Sequence, residues 1–143
     1  MKSVLFVCTH NSARSQMAEG WLRHLGRSRY VAASAGTERR GVHPLATEVM
    51  AEAGVDLTEH RSKTVEEALA EHDGGFDTVV TVCDAAREAC PYVPARHRSL
   101  HHSFADPSAV EGTREERLAA FRAARDEIRE WVEQTFVRAP ERS

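Results

Sequence analysis

The chain has 143 residues, of which 41% are hydrophobic, and this is enough to bury one core, so we expect a single domain over residues 1–143. The net charge of −3 gives no basic surface, and we therefore expect no nucleic-acid partner. No apolar run approaches the roughly 20 residues that cross a bilayer, and the first run is too short for a signal peptide. These features favour a cytoplasmic protein without membrane contacts, and its small surface of mixed charge favours a monomer.

The first element is a short apolar run, Ser3–Val7, which predicts a buried parallel strand. An amphipathic stretch from about Ser12 or Arg14 to Leu25, ended by Gly26, predicts the first helix. A polar loop therefore leads from the strand directly into the amino terminus of the helix. Backbone N–H groups and the positive end of the helix dipole favour an anion at such a terminus.

Two reactive side chains flank this loop. Cys8 ends the strand, and Arg14 follows six positions later. The fork of Arg14 can bind two oxygens of an anion at once, and the positive field favours the thiolate form of Cys8, which is the nucleophile. The pattern predicts an oxyanion site with a nucleophile at its base. The alternative is a buried cysteine at a strand end with an arginine nearby by chance.

Strand-like and helical segments alternate along the rest of the chain, which is typical of βαβ units on a parallel sheet with helices on both faces. Further strands are predicted at Tyr30–Ala35, Thr78–Val82 and His97–Leu100. Loops that follow such strands lie at the carboxyl edge of the sheet, where ligands bind. Two of the three cysteines, Cys83 and Cys90, lie in the loop after the third strand. In a reducing compartment they indicate catalysis, redox cycling or metal binding.

Three later helices have recognisable starts. One is predicted from Pro44 to just before Gly54. Two others begin with a capping box, in which a threonine precedes a glutamate by three residues, at Thr64 and Thr113. The last helix carries an apolar stripe at helical spacing, for which we expect core packing. Its members are Leu118, Phe121, Ala124, Ile128, Trp131 and Thr135.

Three segments together resemble one known family. They are CTHNSARS at residues 8–15, DTVVTVCDAAREACP at 77–91 and ADP at 105–107. They are similar to the thioredoxin-coupled arsenate reductases, which share the fold of the low-molecular-weight protein tyrosine phosphatases. The resemblance covers nearly the whole chain, with the motifs in the expected order. It implies a single-domain α/β fold with a four-stranded parallel sheet in the order 2-1-3-4 and helices on both faces.

The resemblance also implies where an oxyanion would bind and react. Cys8 would attack arsenic, and Asp106 would protonate the leaving oxygen, although an aspartate before a proline is equally typical of a turn. Asn11 tolerates a left-handed backbone and would brace the loop, while Ser15 would donate a hydrogen bond to the Cys8 thiolate. Phosphate would compete with arsenate for the same residues. The oxyanion-binding residues implied are Thr9, His10, Asn11, Ser12, Ala13, Arg14 and Ser15.

A thiol relay is the second implication of the resemblance. Cys83 would attack the Cys8 adduct, releasing arsenite and leaving a Cys8–Cys83 disulfide, and Cys90 would then attack Cys83. In the 2-1-3-4 order, Cys8 and Cys83 end adjacent strands about 4.8 Å apart, close to the reach of a disulfide. Thioredoxin would reduce the resulting exposed Cys83–Cys90 disulfide. No bound cofactor or metal is expected.

Disulfide formation also constrains the segment 83–94, whatever the family. If Asp84–Ala89 were helical, Cys83 and Cys90 would lie about 10 Å apart along the axis, which is beyond the reach of a disulfide. We therefore predict a redox switch that is helical when reduced and looped out when oxidised, with Pro91 limiting the helix. The alternative, that both cysteines are buried apolar residues, fits Cys83 better than Cys90, which follows charged residues.

Some members of this family bind potassium next to the anion loop, through residues matching Asn11, Glu19 and Ser34 and an aspartate. Lys63 stands at the position of that aspartate. Its ammonium group could replace the charge of the cation. We therefore expect activity and stability to be nearly indifferent to potassium.

Two other functions remain open at this point. A tyrosine phosphatase would use Cys8, Arg14 and Asp106 equally well. Phosphatases of this fold, however, usually carry a second cysteine in the loop and tyrosines after the Asp-Pro pair, where this chain has Ala13 and Ser108. A non-enzymatic protein that binds arsenite or a soft metal through its three thiols is the other alternative, although the cysteine spacing does not match usual zinc sites.

Overall fold

A computed structural model describes residues 1–84 and 86–138 of the chain. Its strands are β1 (Lys2–Cys8), β2 (Tyr30–Gly36), β3 (Thr78–Thr81) and β4 (Arg98–His101). Its α-helices are α1 (Arg14–Gly26), α2 (Pro44–Glu52), α3 (Val65–Glu71) and α4 (Arg114–Val132). The strands form one parallel sheet in the order β2-β1-β3-β4, which confirms the predicted fold class and strand order. Strand boundaries differ from the predicted ones by at most one residue.

The central strand β1 is buried on both faces of the sheet, which explains why its sequence is continuously apolar. Val4 and Phe6 point into the larger core, which they share with residues of α1, α2 and α4. Leu5 and Val7 point to the other face, where Ala68 of α3 belongs to a smaller core. The two cores hold the carboxyl end of β1 in place from both sides, and this end carries Cys8.

Helix α1 ends one residue later than predicted. Gly26 is the last residue of the helix, and Arg27, with φ of −61°, caps it in a right-handed conformation. The prediction that Gly26 stops the helix is wrong because this glycine does not take the left-handed backbone of a helix-ending glycine. Gly54, by contrast, has a φ of +83° and follows α2 closely, as predicted.

Helices α3 and α4 both begin with the predicted capping box. In α4 the stripe is buried at Leu118, Phe121 and Ile128, but Thr135 is only half-buried and Phe136 fills the core instead. The chain continues from α4 into a π-helical turn, Glu133–Arg138. Since a π-turn holds more residues than an α-turn, the buried position moves one residue along. No helix in the described residues is long and apolar enough to cross a membrane.

Candidate active site

The candidate site lies where the anion loop, residues 9–13, joins the carboxyl end of β1 to α1. Cys8 is the last residue of the strand and is 2% exposed, with a free thiol. Its Sγ lies 2.8 Å from Ser15 Oγ, so the two groups are hydrogen-bonded. Ala13, just before the helix, offers no capping side chain. The first N–H groups of α1 therefore depend on another acceptor, and an anion suits them.

Asn11 holds the anion loop from the inside. Its φ of 49° lies in the left-handed region, and its side chain is fully buried. The amide nitrogen donates to Ser15 Oγ at 2.9 Å and to Ser34 Oγ at 3.0 Å. The amide oxygen accepts from the backbone N–H of Lys63 at 2.8 Å and from Gln16 Nε2 at 3.0 Å. All four hydrogen-bonding positions of the amide are thus used.

Gly36, at the end of β2, lies against the same loop. A Cβ atom at this position would lie 2.7 Å from Thr9 O and 2.8 Å from Asn11 N, closer than side chains approach a backbone. The backbone N–H of Thr37 donates to Thr9 O at 3.0 Å and ties the loop to the strand. The position therefore requires glycine, and the neighbouring strand sets the curvature of the loop.

Arg14 is the main positive group of the site, and its side chain is only 3% exposed. Its Nη1 donates to the carbonyl oxygen of Phe104 at 3.1 Å, and its Nη2 lies 3.6 Å from Asp106 Oδ2. Burial opposes its charge, but the hydrogen bond to Glu88 and the negative charge of Cys8 raise the pKa of Arg14 above its ordinary value. Arg14 therefore stays protonated and can pair with an anion.

Glu88 forms a bidentate pair with Arg14. Nη1 donates to Glu88 Oε2 at 2.5 Å, and Nη2 donates to Oε1 at 2.8 Å. The hydroxyl of Thr9 donates to the same carboxylate at 2.9 Å, and the backbone N–H of Asp84 donates at 3.0 Å. The hydrogen bond from Arg14 is the main reason that the pKa of Glu88 is lowered to about 2. Glu88 is therefore ionised at neutral pH. Glu88 is not among the residues predicted for the site.

Cys83 and Cys90 are joined by a disulfide, with their Cα atoms 6.0 Å apart. In the pairing of β1 with β3, Val7 lies opposite Thr81, so Cys83 follows the position opposite Cys8 by one residue. The described residues between the two cysteines form a turn in which Glu88 N–H donates to Asp84 O at 2.8 Å, rather than a helix. The oxidised segment is therefore not helical, as predicted, but it is held against Arg14 and not looped out. The helical reduced form stays a prediction.

The expectation that this disulfide is exposed is wrong at one end. Cys83 is 0% exposed, and Cys90 is half-buried and packs against the larger core. The segment is looped inward because Glu88, two residues before Cys90, ties it to Arg14. Cys90 is therefore the more accessible of the two sulfurs for an external reductant.

Asp106 lies beside Cys8 after β4, as predicted. Its Oδ1 accepts hydrogen bonds from the backbone N–H and hydroxyl of Ser108 at 2.9 and 2.7 Å, and this leaves Oδ2 on the side of Arg14. Asp106 and Arg14 line a cavity of about 10 Å³ together with Cys8 and Ser108. A larger cavity of about 640 Å³ adjoins it, and Asp106 lines both. His10 also lines both cavities, so the two meet beside the anion loop.

The predicted oxyanion-binding residues divide into two groups. His10, Ser12, Ala13 and Arg14 line the small cavity over Cys8. The other members lie elsewhere: Thr9 contacts Glu88, while Asn11 and Ser15 support the loop from its buried side. Two residues of the site, Glu88 and Ser108, were not among the predicted set. A carboxylate between the two later cysteines is the only sign of Glu88 in the sequence.

The residues that match the family's potassium ligands, Asn11, Glu19 and Ser34, are bonded to protein groups. Glu19 forms a salt bridge with Arg23 at 3.0 Å and accepts a hydrogen bond from Ser34 Oγ at 2.6 Å, and Ser34 Oγ also accepts from the amide nitrogen of Asn11. Arg23 therefore pairs with the charge of Glu19, while Lys63 contributes its backbone N–H to the anion loop. The expected indifference to potassium stays a prediction. Among the described residues, no group of three or more His, Cys, Asp or Glu is arranged to hold a metal ion.

The fold and the Cys8–Arg14 loop define a class of α/β proteins that bind an oxyanion above a cysteine thiol. The chain belongs to the low molecular weight phosphotyrosine protein phosphatase family, whose model matches residues 3–141. This confirms the family resemblance seen in the sequence.

Curated relatives of the chain include arsenate reductases. The protein of this name from Halalkalibacterium halodurans is 43% identical over 127 residues, which cover 89% of each chain. A solved structure described as an arsenate reductase in the oxidized state has a TM-score of 0.75 and 33% identity, covering 94% of this chain and 95% of the other. The thioredoxin-dependent arsenate reductase of Corynebacterium glutamicum has a TM-score of 0.61 and 26% identity, covering 94% of this chain and 63% of the other.

Proposed function

We propose that this protein, folded as one domain over residues 1–143, reduces arsenate to arsenite through a relay of Cys8, Cys83 and Cys90. The observation that carries the proposal is the Cys83–Cys90 disulfide beside the Cys8 and Arg14 oxyanion site. Hydrolysis of a phosphate ester has no use for a second and third thiol, whereas reduction of arsenate needs a source of two electrons, which a pair of thiols supplies when it forms a disulfide. The similarity to arsenate reductases supports the same activity.

The first step is attack of the Cys8 thiolate on arsenic, which forms a sulfur–arsenic bond and expels one oxygen. The loop N–H groups and Arg14 hold the oxygens that remain. The leaving oxygen needs a proton, and we assign that role to Asp106 because it lines the cavity over Cys8. Ser15 keeps Cys8 positioned through the 2.8 Å contact with its sulfur.

Reduction takes place in the second step. The Cys83 thiolate attacks the sulfur of Cys8, the sulfur–arsenic bond breaks, and its electron pair remains on arsenic, which leaves as arsenite. Cys90 then attacks Cys83, so the Cys8 thiolate is released and the Cys83–Cys90 disulfide forms. The pair of cysteines has lost two electrons, and arsenic has gained two.

Thioredoxin closes the cycle by supplying two electrons and two protons to this disulfide. Its thiolate would attack Cys90, since the Cys83 sulfur belongs to a fully buried residue. Phosphate carries the same charge and shape as arsenate and would compete for the loop. The protein would act as a monomer with no bound cofactor.

The decisive experiment mixes the fully reduced protein with arsenate in the absence of any external reductant. We expect one arsenite per protein and one internal disulfide, located at Cys83–Cys90 by mass spectrometry of proteolytic fragments. With Cys90→Ser the first arsenite should still form, but the disulfide should be Cys8–Cys83 and turnover with thioredoxin should stop. Cys8→Ser should give no arsenite at all. Arsenite bound without an internal disulfide would instead indicate a thiol-binding protein.

Phosphatase activity is the second candidate, since the family match and the arrangement of Cys8, Arg14 and Asp106 serve it equally. Ala13 and Ser108 depart from the phosphatase pattern given above. We therefore expect slow hydrolysis of small aryl phosphates as a side reaction. The comparison to make is the ratio of kcat/KM for para-nitrophenyl phosphate and for arsenate, measured on one preparation of the reduced protein.

A further inference from the structure

Glu88 makes the contacts that a bound oxyanion would need. Both terminal nitrogens of Arg14 donate to its two carboxylate oxygens, and Thr9 and the backbone N–H of Asp84 add two further donors. Bidentate pairing of this kind is the usual way in which arginine binds carboxylate, phosphate and arsenate-like groups. The anion-binding fork of the site is thus occupied by a side chain of the same protein.

The cavity over Cys8 is small in this state, at about 10 Å³, and its arginine is already paired. The charge of Arg14 is already balanced by Glu88, with Asp106 close by at 3.6 Å. An incoming dianion would therefore meet two carboxylates and a neutralised arginine.

The position of Glu88 is tied to the disulfide. Glu88 is two residues before Cys90, and its backbone N–H bonds to Asp84 O within a single turn, while Asp84 itself follows Cys83 directly. The disulfide keeps the ends of this turn 6.0 Å apart. When the disulfide is reduced, no covalent bond closes the turn, so the carboxylate loses a restraint that places it on Arg14.

Building on the function proposed above, we propose that Glu88 is a redox-controlled occupant of the oxyanion site. It binds Arg14 when the Cys83–Cys90 disulfide is formed and leaves when the disulfide is reduced. It thereby displaces phosphate or arsenate from the oxidised protein, which has no thiol pair with which to reduce a second arsenate. Only the reduced protein then has an open site.

Thermodynamic linkage requires a reciprocal effect of the oxyanion on the disulfide. If the disulfide weakens oxyanion binding, an oxyanion must weaken the disulfide by the same factor. Phosphate should therefore make the Cys83–Cys90 disulfide easier to reduce. The factor by which the disulfide weakens phosphate binding must equal the factor by which phosphate favours the reduced form. Measuring both provides an internal check.

The experiment uses Cys8→Ser as its background, so that only Cys83 and Cys90 can form an internal disulfide. Phosphate affinity is measured by calorimetry on the oxidised and the reduced form, with the disulfide verified by mass spectrometry. The same pair of measurements is made with Glu88→Gln and Glu88→Ala added. Glu111→Gln, an exposed site with the same loss of charge, is the matched control.

We expect the oxidised form to bind phosphate at least about tenfold more weakly than the reduced form. The ratio should fall towards one with Glu88→Ala and Glu88→Gln, and it should persist with Glu111→Gln. A tenfold ratio requires saturating phosphate to raise the reduction potential by about 30 mV in the background protein, with little shift in the Glu88 variants.

Equal phosphate affinity in the two redox forms would overturn the proposal, and so would a ratio that survives both Glu88 substitutions. Either result would contradict the role of Glu88 but not the proposed reduction of arsenate. If neither form binds phosphate, the oxyanion site itself is wrong, and the proposed function fails together with the role of Glu88.

Discussion

Asn11 offers the sharpest test of how the anion loop is held. Asn11→Ala removes a buried amide that makes four hydrogen bonds, and it leaves the backbone N–H of Lys63 buried without its acceptor. At about 1 kcal/mol for each bond, with the extra cost of an unpaired donor offset by partial relaxation, the loss is about 3–4 kcal/mol. Alanine at a φ of 49° adds about 1 kcal/mol.

The total, about 4–5 kcal/mol, is a large part of the stability of a typical domain. The measurement is urea unfolding followed by circular dichroism, carried out on the oxidised protein. Asn11→Gly is the control for backbone strain, and it should be about 0.5–1 kcal/mol less destabilising than Asn11→Ala because glycine accepts a positive φ. Asn11→Asp keeps the acceptor oxygens and separates their contribution from that of the amide donors.

A loss below about 1 kcal/mol for Asn11→Ala would refute the reasoning, since it would mean that solvent or neighbouring groups replace the whole network. An Asn11→Gly variant less stable than Asn11→Ala would refute the assignment of strain. Phosphate binding to the reduced variants should weaken in the same order as stability, because the loop proposed to bind phosphate is the loop that loses its support.

Three further outcomes are expected. Asp106→Asn should lower kcat for arsenate by about 10²–10⁴-fold in the thioredoxin-coupled assay without weakening phosphate binding, since it removes a proton donor and a negative charge. Exchange of sodium for potassium at equal ionic strength should change kcat/KM and Tm little, because Glu19 is already paired; a strong stimulation would contradict this. Because the pKa of Glu88 is lowered from 4.5 to about 2, its ionised form stabilises the oxidised protein above pH 4.5. Allowing for solvent screening, about 1 kcal/mol should be lost between pH 4.5 and 2, and Glu88→Gln should lack this loss in acid unfolding curves.

The parts of this protein that the sequence predicts correctly depend on local rules. The buried strand before Cys8, the capping box at Thr113 and the helix start at Pro44 follow from patterns a few residues long. The arrangement of Cys8 and Arg14 around the helix amino terminus is equally local. The strand order is not local, and its prediction depended partly on the family resemblance.

The parts that the sequence does not predict depend on contacts between distant residues. Glu88 reaches Arg14 across 74 positions of sequence, and the approach of the two segments is set by tertiary packing. The inward loop and the half-buried Cys90 follow from the same contact. The shift of the buried position to Phe136 depends on a π-turn, for which no reliable short pattern exists.

The close contact between Gly36 and the Cys8 loop has a consequence for how the protein acquires activity during folding. The curvature of the loop depends on β2, so residues 1–26 alone do not carry enough information to shape a receptor for arsenate or phosphate. Competence to bind an oxyanion should appear only once β1 and β2 have paired. An amino-terminal peptide grafted into another scaffold would need a neighbouring strand there with a glycine at the position of Gly36.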